Sequence, residues 1–181
     1  MQFDDVRSMM KLPRATQGLS GGCNFAVVVA LCSLLSGVAK VLYTRRPGLP
    51  GTGDGFVALL IEYFPWQHGR EEPAANADTL WHLVRNPLVH SLGVGVSPRQ
   101  RDAQVTIVKS AYTERQLREI ERSASPPKPS LALVTRGKHH TIWVVGLYWG
   151  VLKLLSRLFA DRRQMVAAER KLQERGWQSD A

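Results

Sequence analysis

Cysteine is scarce: only Cys23 and Cys32 occur in 181 residues, nine positions apart, with no ligand-type spacing around them. A disulfide-built scaffold is therefore excluded, and buried free thiols in a reducing compartment are expected. His139 and His140 are adjacent and lack the spaced partners of a structural zinc site, so neither metal nor other cofactor is expected. Acidic residues are also in short supply, 15 against 24 Lys and Arg, a net charge of +9. The deficit is uneven. Residues 1–90 carry eight basic and seven acidic side chains, whereas residues 91–181 carry sixteen and eight, so a polyanion-facing surface should draw on the second half.

The apolar run at residues 25–39, FAVVVALCSLLSGVA, has fifteen residues before Lys40, short of the roughly 20 that a membrane span needs. It follows a polar lead containing Asp4 and Asp5, not the short basic region of a signal peptide. A buried core helix in a cytoplasmic protein without a membrane partner is the expectation. The alternative is a small membrane-anchored protein with Arg45 and Arg46 at the interface. Gly48 and Gly53 have the spacing of a phosphate-binding loop, but Asp54 stands where its lysine belongs and no strand precedes it. No internal repeat is visible.

What is present is ordinary globular composition, 44% hydrophobic and 22% charged, in a length suited to one domain. The expected fold is mainly α, a helical bundle with a small antiparallel hairpin or three-stranded sheet. A polar lead at 1–20 precedes a single domain at 21–160, with a β insertion at about 104–145 and a charged helical extension at 161–181.

Within that frame, residues 3–12 suggest a short helix stopped by Pro13, and a long core helix runs from Gly22 or Asn24 to about Tyr43. A second extends from Asp54 or Gly55 to Phe64 and ends at Pro65. A third, capped by Asn76 or Asp78, carries Leu80, Leu83 and Val84 on one face and continues toward Gly93. Alternating β-branched residues predict strands at 104–109, 131–135 and 141–145, the last two joined by a turn with Gly137 at its bend. Residues 113–123 read as a polar helix, 125–129 as a stiff linker. The final helix begins near Leu147 with Tyr148, Leu152, Leu155 and Phe159 at helical spacing, and its charged continuation beyond Asp161 is expected to leave the domain body.

The third helix holds LWHLVRNPLVHSLG at 80–93. Arg85, the polar Asn86 directly after it, and His90 after four intervening residues resemble the motif of HEPN-type ribonucleases. The chemistry suits the residue types: cleaving RNA without metal needs a proton acceptor near the 2′-hydroxyl and a fixed cation near the phosphate. Imidazole titrates near neutral pH, and guanidinium offers phosphate a planar fork. On a regular helix Arg85 and His90 would diverge by about 140°, so Pro87 is expected to kink the chain. His82, on another face, reads as a packed histidine.

The resemblance implies a metal-independent endoribonuclease of toxin or defence type. His90 would be the general base and acid, Arg85 the phosphate stabiliser and Asn86 their neighbour, in a homodimer whose paired motifs share a cleft. It also implies 2′,3′-cyclic phosphate products and an antitoxin partner. Arg136 and Lys138, at the basic turn, are the expected RNA contacts. The alternative is a catalytically inactive HEPN-like binding or dimerisation module.

Overall fold

The computed structural model describes residues 2–12, 23–43, 52–67, 72–85, 103–108, 110–128, 131–174 and 176. The mainly helical fold with a small sheet is what it contains. Its helices are α1 (Gln2–Lys11), α2 (Asn24–Val41), α3 (Thr52–Tyr63), α4 (Pro73–Thr79), α5 (Glu114–Arg122), α6 (Val144–Ala160) and α7 (Arg162–Glu174). A π-helix, Leu80–Arg85, continues directly from α4. The strands are β1 (Gln104–Val108), β2 (Leu133–Arg136) and β3 (His139–Trp143).

Helix α2 is the centre of the bundle and packs against α1, α3 and α6. Val27, Val28, Leu31 and Leu35 are fully buried. Each such side chain contributes about 1.5–3 kcal/mol relative to an exposed one, so this face alone accounts for a large share of the driving force. With 18 residues the helix is longer than its fifteen-residue apolar run, and by length and composition it could cross a membrane, although 44% of it is buried within the fold. The first helix is not a detached lead: Val6 and Met10 are fully buried in the common core.

Helix α5 starts with a reciprocal cap in which the Gln116 amide N–H donates to Thr113 Oγ1 and the Thr113 amide donates to Gln116 Oε1. At its other end the Trp149 indole donates to Ser123 O and Lys153 Nζ to Glu121 O, tying α5 to α6. Gly137 has φ +60°, a backbone conformation glycine adopts cheaply, and with Lys138 it closes a tight hairpin between β2 and β3. The third strand thus starts at His139, two residues earlier than alternation alone suggested, and passes into α6 without a loop.

The strand order is β1-β3-β2, with β1 parallel and β2 antiparallel to the central strand. The parallel pair joins Gln104 to His139 and Val108 to Trp143, with α5 and β2 in the intervening chain. Asn24 Nδ2 donates to Ile107 O, so the start of α2 is fixed against the sheet.

The charged C-terminal helix does not leave the body. Asp161 ends α6 and its carboxylate accepts the Gln164 amide N–H, capping α7 and turning the chain. Helix α7 then lies over the end of α2: Gln164 and Ala168 are buried, the Gln164 side chain donates to Leu42 O, and Lys171 Nζ reaches Lys40 O. The buried Gln164 and Ala168 and the Lys171 bond together hold the helix against the body despite its overall charge.

Candidate active site

The segment carrying the RNPLVH motif enters as a π-helix, not as a regular helix. Its turns are wider, closed by i→i+5 hydrogen bonds, and such turns cluster at functional sites. In sequence, Pro87 stands two residues beyond its end and has no amide hydrogen to give a helical ladder. The π-helix is thus a departure from regular geometry already present by Arg85; the kink expected at Pro87 lies outside the described residues.

Arg85 is the last residue of the π-helix and is half-buried. Its Nε donates to Ser36 Oγ at 3.0 Å, and Ser36 Oγ in turn donates to Cys32 O at 2.9 Å within α2. Its guanidinium carbon lies 4.6 Å from the centroid of the Trp81 ring, a cation–π stack four residues back on the same helix. Trp81 is itself held against Phe56 of α3, with ring centroids 5.2 Å apart. The plane and position of the guanidinium are thus set by a hydroxyl on one element and a ring on another. Burial pushes the Cys32 thiol up to about 12, while the Arg85 charge pulls the other way, so Cys32 stays protonated and unreactive near neutral pH.

Asn86 and His90 lie outside the described residues. Arg136 and Lys138 sit on the hairpin, both exposed, at the end of β2 and in the turn after it. They are carried by the sheet, and Arg85 by the helical bundle. His140, next to them in β3, receives or gives a 3.1 Å hydrogen bond with Thr135 Oγ1; burial, and then the neighbouring His139, lower its pKa.

His82 is not a packed histidine. Its side chain is 48% exposed, and Nε2 lies 3.3 Å from Asp78 Oδ1 one turn earlier. Together with Asp54 and Ile61 they border a cavity of about 270 Å³ between α3 and the π-helix. Among the described residues no group of three or more His, Cys, Asp or Glu side chains is placed to hold a metal ion.

Sequence reasoning did not find Ser36 or Trp81 as the partners that hold Arg85. A hydroxyl in an apolar run is the one signal Ser36 gives, and Ser33 gives the same, while Trp81 reads simply as a core residue. Nor did it find the network joining α1 to α5 and α6. There Arg7 Nε and Tyr148 Oη both donate to Glu121 Oε1, at 2.7 and 2.6 Å, while Arg7, Lys11 and Arg118 surround Glu114.

Compared with protein-family models, with curated proteins and with solved structures, the chain matches none.

Proposed function

We propose that this chain is a HEPN-like, metal-independent endoribonuclease in which Arg85 stabilises the phosphate and His90 transfers protons, with Asn86 beside them. The observation that carries this reading is the orientation of the Arg85 guanidinium by Ser36 and Trp81 at the end of a π-helix. A cation whose plane is set in advance needs little reorganisation as charge builds on a phosphorane. In the proposed reaction His90 accepts the proton of the 2′-hydroxyl, the 2′-oxygen attacks phosphorus, and the bond to the 5′-oxygen breaks. The leaving oxygen takes up a proton, giving a 2′,3′-cyclic phosphate and a 5′-hydroxyl. The same reading includes a symmetric homodimer, RNA approach over Arg136 and Lys138, and an antitoxin partner.

A second reading has its own support, because Arg85 is half-buried and spends its Nε–H on a neighbouring helix. In that reading the segment is a structural pin, and the domain is an inactive HEPN-like binding or dimerisation module. Purified chain incubated with RNA in EDTA separates the two. Cyclic-phosphate products that vanish in His90→Ala and Arg85→Ala support the nuclease. Absence of cleavage by the parent, with Arg85→Ala melting like a core variant, supports the module.

A further inference from the structure

Helices α1, α5 and α6 border a cleft of about 470 Å³. That lies inside the usual range for small-molecule sites, about 300–1,000 Å³. Neither Arg85 nor the residues that hold it line this cleft.

Its inner wall is a fixed polar network. Glu121 Oε1 accepts from Tyr148 Oη at 2.6 Å and from Arg7 Nε at 2.7 Å, while Arg7 Nη2 lies 2.7 Å from Glu114 Oε1. Tyr148 is fully buried, so the Glu121 carboxylate is anchored to the body of α6. Both bonds converge on one oxygen, and Glu121 Oε2 takes no part in them.

Arg7 is spent on these two carboxylates, but the other two guanidinium groups of the cleft are placed differently. Arg118 and Arg122 stand four residues apart on α5, hence on one face of the helix, and both line the cleft. Arg118, whose side chain is 60% exposed, gives its Nε–H to Glu114 Oε1 at 3.1 Å. That bond orients the fork and uses one of its five N–H donors. Arg122 is exposed one turn further on. Like charges at this spacing repel, and an anion held between them turns the repulsion into two attractions. With Asp4 also at the border, the cleft has three guanidinium groups against two carboxylates.

Phe3 and Leu152 supply an apolar wall. Both are half-buried, and the Phe3 ring centroid lies 5.9 Å from that of Tyr148. Each feature suits a different part of a ligand: paired guanidinium groups match a phosphate, a carboxylate that only accepts matches a hydroxyl, and a phenyl ring matches a flat apolar face. Inorganic phosphate offers the first part alone, and a sugar phosphate the first two. A nucleoside monophosphate offers all three.

We propose that this cleft binds a mononucleotide, with its phosphate on Arg118 and Arg122, a ribose hydroxyl donating to Glu121 and the base against Phe3 and Leu152. The inference is independent of RNA cleavage.

Titration calorimetry of the full chain with adenosine 5′-monophosphate, ribose 5-phosphate and inorganic phosphate tests it. The nucleotide should bind more tightly than about 1 mM, and at least about tenfold more tightly than either of the others. Arg122→Ala should weaken nucleotide binding at least about tenfold through loss of a charge-assisted contact, with the melting midpoint close to the parent's because the side chain is exposed. Arg115→Ala is the control: that side chain is 88% exposed on the same helix but does not line the cleft, so affinity should stay within about twofold. Phe3→Leu keeps an apolar side chain without the ring and should lower the preference for the nucleotide over ribose 5-phosphate. No binding at about 1 mM nucleotide, equal affinities for the nucleotide and ribose 5-phosphate, or equal losses in Arg122→Ala and Arg115→Ala would each overturn the proposal.

Discussion

Arg85 and Ser36, separated by 49 positions in sequence, are joined by a 3.0 Å hydrogen bond from the guanidinium Nε to the hydroxyl. That bond fixes the end of the π-helix to the middle of α2. Ser36→Ala should lower stability by about 1.5–2 kcal/mol, the lower part of the range for hydrogen bonds to charged groups, because Arg85 is half-buried. A urea titration reads this directly. On the nuclease reading, cleavage also falls, though by less than in Arg85→Ala, since the cation remains while its orientation loosens. Unchanged stability and unchanged cleavage would show that the bond is incidental.

Gly150 of α6 faces the Phe64 ring so closely that a Cβ there would collide with it. Gly150→Ala should therefore destabilise by about 1–3 kcal/mol through overpacking, despite the better helix propensity of alanine. Gly37 has open space around it in α2, so Gly37→Ala is the control and should leave stability equal or higher. Equal melting midpoints for Gly150→Ala and the parent would contradict the close approach of α3 and α6.

How far the sequence foretold these contacts depends on their range. Proline, capping residues and apolar periodicity are local, so the helices, the β2–β3 hairpin and the Gly137 bend were readable from the chain itself. The parallel pairing of Gln104 with His139 was not, because alternation identifies a strand without naming its neighbour. The return of α7 was hidden for a related reason: its charge describes the outer face, whereas Gln164 and Ala168 on the inner face decide its place. At the site, Arg85 was singled out from its motif, yet Ser36 and Trp81 were not, since their value lies in a contact. The π-helix escaped a reading that assumed regular turns.

Acid should weaken the docking of α1. Hydrogen bonds from Arg118, Lys11 and Arg7 hold the Glu114 carboxyl down at about 2 against an ordinary value of 4.5. Its contribution is fully present above about 4.5 and is lost as pH falls through about 2, because the unfolded state takes up the proton first. Glu114→Gln should make α1 docking less dependent on pH over that window, with the Arg7–Glu121 pair left in place. Hydrogen exchange of the α1 amides against pH checks this, and identical acid profiles for parent and variant would contradict it.

On the nuclease reading, RNA affinity should fall with salt and fall further when Arg136→Ala and Lys138→Ala are combined, since both side chains are exposed at the hairpin. Each lost phosphate contact reduces the slope of log affinity against log salt by about 0.7 for single strands. Equal slopes for parent and double variant would move the RNA contact elsewhere.

The reading of the chain as a nuclease meets its most direct test in single-turnover cleavage of RNA by the purified protein in EDTA, comparing parent with His90→Ala. Loss of a general base costs about 10²–10⁴ in rate, so the account predicts cyclic-phosphate products from the parent and a fall of at least about 10² in the variant. Cleavage by His90→Ala at the parent rate, or no cleavage by a folded parent, would contradict it.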